Sequence, residues 1–210
     1  MTKIKKAIKQ LRKTIFYRTS HFWPDKMYLC ITYWLLMGGK LDLSNPKGFN
    51  EKLNWLKLYD RNPLFVRLAD KYEVKQFVAD VIGKEYVVPN LGVWDRIEDI
   101  DFDSLPNQFV IKGTHDSSGA TICRDKKSFD VQALAKKYEP IMNRNYFWMW
   151  REWPYKNIKP RVIADTFLDD HTAEGRSISL RDYKFWCFNG EPRYMYCTVK
   201  DKNIYENFYD

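Results

Sequence analysis

Apolar residues recur at helical spacing from the first residues onward. Ile4, Ile8, Leu11 and Ile15 line one side of residues 1–17 while lysines and arginines fill the other, the pattern of an interfacial amphipathic helix. Residues 27–39 read MYLCITYWLLMGG, apolar on all sides but shorter than the roughly 20 residues that span a bilayer, so a buried helix is expected. Residues 44–60 open with turn formers and then space Phe49, Leu53, Leu56 and Tyr59 along one face, which predicts a short amphipathic helix. Asn62 as N-cap and Pro63 in the first turn predict one further helix, its apolar face running through Leu64, Phe65, Leu68, Tyr72 and Phe77 until Gly83.

After Pro89 the pattern turns to strands. LGVW is followed by an acidic stretch and then by QFVIKGTHDSSGATICRD, in which two β-rich runs flank a Gly/Ser loop, the signature of a hairpin with a flexible tip. KSFDVQALAKKYEPIM predicts a helix, PRVIADTFL a strand, and DYKFWCFNGEPRYMYCTVKD a hairpin turning at Asn189 and Gly190. The pattern divides into a basic amphipathic helix over residues 1–18, a helical region over 19–60 and an α+β domain over 61–210.

A chain of 210 residues, 45% of them hydrophobic, buries one substantial core and a small second lobe. The formal charge is +8, and Lys3, Lys5, Lys6, Lys9, Arg12, Lys13 and Arg18 precede the first acidic residue, so the basicity belongs to an arm. Such an arm gains about 1 kcal/mol per basic residue near an anionic membrane, which makes peripheral lipid contact through residues 1–18 the expected partner, against a helix that packs on the domain. Nucleic acid is not among the expected partners. Cys30, Cys123, Cys187 and Cys197 show neither CxxC pairing nor a companion histidine at zinc-ligand spacing, as in a reduced, cytoplasmic protein. His21, Trp23, Pro24, Asp25 and Lys26 separate the basic and apolar stretches, unlike a signal peptide.

The candidate chemistry starts at Lys112. It ends an apolar strand and is followed by Gly113, Thr114, His115, Asp116, Ser117, Ser118 and Gly119, a small polar loop of the kind that closes over phosphates. GxxxxGK[ST] is missing, so this is not a P-loop, and a plain hairpin is the competing reading. His115 is a candidate for contact with a phosphate or an acceptor, with an incidental loop position the favoured reading. The block Tyr146, Phe147, Trp148, Trp150, Trp153 and Tyr155 suits either core packing or stacking on sugar rings, with core packing favoured.

DKYEVK on a helix, then YVVP, FVIK with its loop, VIADTFL and DYKFWCFNGE follow one another in an order that resembles the ATP-grasp superfamily. FNEKLNWLKLYDRNP, LPNQFVIKGTHDSSG, REWPYKNIKPR and DYKFWCFNGE resemble its TupA-like branch, linked to teichuronopeptide and capsule-type polysaccharide synthesis; the resemblance covers residues 41–210. It implies an ATP-grasp-like α+β fold of two lobes with antiparallel sheets, after an N-terminal helical segment. It also implies ATP and Mg2+ as cofactors, with Lys75 and Lys112 on the phosphates and the Gly113, Ser117, Ser118 and Gly119 loop over them. Backbone groups of Thr166, Phe167 and Leu168 would read adenine, Asp165 would accept from the adenine amino group, and Asp182 with Lys184 would border the ribose.

The reaction so implied joins an amine or amino acid to the carboxylate of a sugar acid or polysaccharide precursor. Family strands of the VDLY and GELTFYPGSG kind, which would carry the magnesium ligands, have no counterpart before Asp210. The fold is therefore expected to be incomplete at its C-terminus, as a fragment, a chain completed by a partner, or a member without turnover; truncation is the favoured reading and predicts an exposed apolar sheet edge. Two other functions stay in view. Asp101-Phe102-Asp103 has the DxD form of metal-dependent glycosyltransferases, and the basic arm suits a membrane-associated scaffold.

Overall fold

A computed structural model describes residues 18–117, 119–171, 177–178, 180–200 and 204–209. The basic helix expected over residues 1–18 lies, but for Arg18, outside the described residues. The chain divides into two compact units, Met1–Thr166 and Phe167–Asp210. The fold is α+β, and every strand pair is antiparallel.

In the first unit, helix α1 (Asp25–Met37) ends at Gly38, whose φ of 75° is the left-handed conformation glycine adopts without steric cost. Only Tyr28, Leu29 and Thr32 of α1 are buried, and Trp34, Leu36 and Met37 remain exposed. The expectation of a fully buried helix is corrected accordingly: α1 packs on one side only. Its inner face is held by Arg151, whose guanidinium lies 4.1 Å from the Tyr28 ring. Helix α2 (Phe49–Tyr59) forms as predicted, with Glu51 accepting from the Gly48 N–H at 2.8 Å. Its apolar stripe faces outward, Phe49 being 75% exposed.

The single helix predicted from Pro63 to Gly83 is two, α3 (Leu64–Ala69) and α4 (Glu73–Ile82). The N-cap of α3 is Pro63, one residue later than expected, while Asn62 Oδ1 accepts from the Leu64 N–H at 3.0 Å. The break comes at Asp70, which takes an extended backbone with ψ 119°. Its Oδ1 accepts from the N–H groups of Tyr72 and Glu73 at 2.8 and 3.3 Å. An aspartate that satisfies the first donors of a new helix makes a cap out of a mid-helix position.

Strands β1 (Asn90–Trp94), β2 (Phe109–Gly113), β3 (Thr121–Cys123) and β4 (Val162–Thr166) form one sheet in the order β1-β4-β2-β3. Helix α5 (Val131–Met142) covers one face. Phe109, Ile111, Val162 and Ala164 point into that core with Leu134, Tyr138 and Ile141. Tyr138 donates to the Ile111 carbonyl at 2.8 Å. Because side chains alternate along a strand, Val110, Lys112, Ile163 and Asp165 belong to the opposite face.

The short helix α6 (Phe147–Trp150) closes on Arg151, which has φ 56°. Phe147 and Trp148 of the aromatic block pack on this residue, with the Arg151 guanidinium 5.2 Å from the Phe147 ring and 4.8 Å from Trp148; Phe147 is buried, as core packing requires, and the other members of the block are half-buried.

The second unit contains β5 (Asp170–His171) paired with β6 (Ser177–Ile178). A three-stranded sheet follows, β7 (Asp182–Phe188), β8 (Glu191–Lys200) and β9 (Ile204–Tyr209), in that order. The predicted turn is present: Asn189 and Gly190 both have positive φ, 52° and 84°, as a two-residue type I′ hairpin requires. Edge strand β7 is exposed along its whole length, including Phe185, Trp186 and Phe188.

Candidate functional site

On the face of the four-stranded sheet opposite α5, three elements bring charges to one point. The register pairs Val110 with Asp165 and Lys112 with Ile163, so Lys112 and Asp165 are diagonal neighbours within reach of a long side chain. Lys112 Nζ lies 3.0 Å from Asp165 Oδ2. Lys75, on α4, donates to Asp165 Oδ1 at 2.6 Å and to the Val88 carbonyl at 2.8 Å. Asn90, opposite Asp165 on β1, donates to the Ala164 carbonyl at 3.1 Å and approaches Asp165 Oδ1 at 3.3 Å. Two ammonium groups on one carboxylate repel each other, and the carboxylate they share offsets this. One positive charge is left over.

The Asp165 side chain is 2% exposed, that of Lys75 14% and that of Lys112 34%. Lys112 is therefore the most accessible member, and Asp165 is its only hydrogen-bond partner among the described residues. With the remaining cation charge, its open N–H donors fit an anionic phosphate group.

Four residues before Lys75, in the turn between α3 and α4, stands Lys71. Lys71 Nζ donates to the Gly113 carbonyl at 3.1 Å and to the Asp116 carbonyl. Its backbone N–H donates to Thr114 at 3.1 Å. Burial pushes this ammonium below its ordinary value; Asp116 opposes that shift and Lys112 adds to it. Sequence reading overlooked Lys71, although its four-residue spacing from Lys75 was there to find. It also overlooked Arg161, which donates to Asp70 Oδ2 and Glu73 Oε1, both at 2.9 Å, and so fixes the start of α4.

The loop after Lys112 is only half of what was expected. Thr114, His115 and Asp116 are no more than 2% exposed, and only Ser117, Gly119 and Ala120 face solvent; Ser118 lies outside the described residues. The buried half is pinned by Lys71, by Arg144 Nε to Asp116 Oδ2 at 3.0 Å, and by the His115 ring Nε2, 2.9 Å from the Ile141 carbonyl. Buried in this way, the His115 ring is a packed anchor, in keeping with the incidental reading and not with a phosphate or acceptor contact.

His115 Nδ1 is buried without a hydrogen-bond partner. Burial pushes the imidazole below its ordinary value, with Lys71 in support, while the Ile141 carbonyl, Asp116 and Asp70 act the other way. The unfolded chain then takes up this proton first, near pH 6.5, so this contribution to stability is intact above that value and declines as pH falls below it, by at most about 1.4 kcal/mol per unit. Urea unfolding between pH 7.5 and 5.5 should show that slope, reduced in His115→Gln; identical slopes would count against it.

The Thr166 N–H donates to the Pro89 carbonyl at 3.0 Å. Phe167, Leu168, Asp182 and Lys184 belong to the second unit, where Asp182 and Lys184 form an exposed ion pair with each other. The DxD aspartates sit in a turn: Asp101 Oδ1 accepts from the Asp103 N–H at 3.1 Å, and Phe102 packs against the core. Among the described residues no three His, Cys, Asp or Glu side chains gather as metal ligands. No described helix is long and apolar enough to cross a membrane.

Comparison with protein families matches residues 51–210 to the TupA-like ATPgrasp family. The chain belongs to that family. Neither curated proteins nor solved structures give a match. In this TupA-like ATP-grasp protein the match includes every site candidate, from Lys71 before α4 to Lys184 on β7.

Proposed function

We propose that this ATP-grasp protein binds ATP with its phosphates on Lys112 and Lys75, in bacterial cell-surface polysaccharide biosynthesis. The observation that carries the reading is the convergence of two ammonium groups on one carboxylate, beside the anchored root of a Gly/Ser loop. Lys112 offers the accessible N–H donors, Lys75 adds charge from α4, and Lys71 holds the loop root where Ser117 and Gly119 can reach a bound anion. ATP held there would supply the phosphoryl group that activates a sugar-acid carboxylate as an acyl phosphate, for displacement by an amine or amino acid. Positioning and charge neutralisation are the protein's main levers in such chemistry. The acceptor is a polysaccharide precursor or sugar acid, and residues 1–18 supply a peripheral contact with anionic lipid at the inner face of the membrane.

A charge-assisted hydrogen bond contributes about 1.5–3 kcal/mol, so Lys112→Met should weaken magnesium-ATP binding by roughly 10- to 100-fold, measured by isothermal titration calorimetry. Unchanged affinity, or UDP-sugar binding that depends on Asp101 and Asp103, would overturn the reading.

A further inference from the structure

We infer that Asp165 is a positioning residue for the triphosphate, holding Lys75 and Lys112 in a fixed pair through its two carboxylate oxygens; this rests on the phosphate-binding reading above. Its oxygens are divided, Oδ1 to Lys75 at 2.6 Å and Oδ2 to Lys112 at 3.0 Å. It is 1% exposed and is the residue of β4 that faces Asn90 in the register. A buried carboxylate on a central strand is a rigid reference point, whereas each lysine reaches it through a flexible four-carbon stem. Without the carboxylate, the two ammonium groups repel and are free to separate.

The same geometry argues against the simplest alternative, in which Asp165 only masks the lysines until a phosphate displaces it. Lys112 spends one donor on Asp165 and is one-third exposed, so a phosphate oxygen can join it with the carboxylate still in place. The arrangement also differs from an adenine contact, because ammonium groups engage both carboxylate oxygens. Asp165 therefore acts on the anionic end of the ligand through the lysines.

The test measures adenosine and inorganic tripolyphosphate separately, by calorimetry on the full chain. Asp165→Asn should weaken tripolyphosphate at least tenfold and leave adenosine within twofold. Tighter tripolyphosphate binding would establish a mask, and an equal loss for both ligands would establish a base contact or a structural role; either result overturns the inference. If Asp165→Asn does not fold, Lys75→Met, Lys112→Met and the double variant decide the matter. A pair held by one carboxylate loses nearly as much from each single change as from both, whereas losses that multiply would refute the coupling. A wild-type chain that binds neither tripolyphosphate nor ATP would instead sink the phosphate-binding reading itself.

Discussion

Replacing Arg151 by methionine should destabilise the first unit by about 4 kcal/mol, within the range for removing one partner of a buried charged network. The guanidinium is 1% exposed. Nε lies 2.7 Å from Asp25 Oδ1, one terminal nitrogen donates to the Trp148 carbonyl at 2.8 Å, and the other donates to the carbonyls of Ser20 and Trp23. Methionine fills much of the volume but satisfies none of these acceptors, and it leaves the Tyr28, Phe147 and Trp148 faces without their cation. Lysine restores a charge, yet a single ammonium cannot imitate a planar fork that serves several acceptors at once, so Arg151→Lys should recover less than half of the loss. Urea unfolding followed by circular dichroism and tryptophan fluorescence would measure both variants. A methionine variant within 1 kcal/mol of the parent would show that α1 is held by its apolar contacts alone.

Why Arg151 escaped the sequence reading while the sheet did not is a matter of range. The strand LGVW, the hairpin around Lys112, the strand VIADTFL and the turn at Asn189 and Gly190 each carry a local period or turn chemistry, and each appears where predicted. Arg151 stands in an aromatic run with no local mark, because its partners Ser20, Trp23 and Asp25 lie more than a hundred residues away. The same reasoning explains the broken helix. Leu64 to Phe77 keeps helical spacing across the break, and what interrupts it is an aspartate held by Arg161 from a distant segment.

The site was legible to a similar degree. Lys112 and Lys75 could be chosen from strand-end position and motif order. That both would meet Asp165 required the register of β2 on β4, which no single segment encodes. The Gly/Ser loop illustrates the opposite error. Gly, Thr, His, Asp and Ser have the composition of a mobile tip, but Lys71, Arg144 and the Ile141 carbonyl turn its first half into buried structure.

Changing Asp70 to alanine should cost about 3 kcal/mol of stability and also lower triphosphate affinity at least tenfold, although Asp70 touches neither Lys112 nor Asp165. Two effects add in stability. Loss of the cap at Tyr72 and Glu73 accounts for about 1 kcal/mol, and Arg161, left with Glu73 alone, accounts for about 2 kcal/mol. The functional effect follows from where the cap acts. It sets the turn that leads into α4, which aims Lys71 at the Gly113 and Asp116 carbonyls and, four residues on, Lys75 at Asp165. Asparagine retains the capping oxygen and gives up the charge, so Asp70→Asn should keep most of the tripolyphosphate affinity while losing the share of stability that belongs to Arg161. A parallel loss of stability and affinity in both variants would mean that the cap has no separate part in aiming the lysines. Full affinity in a destabilised alanine variant would mean that Lys71 and Lys75 find their places through the sheet alone.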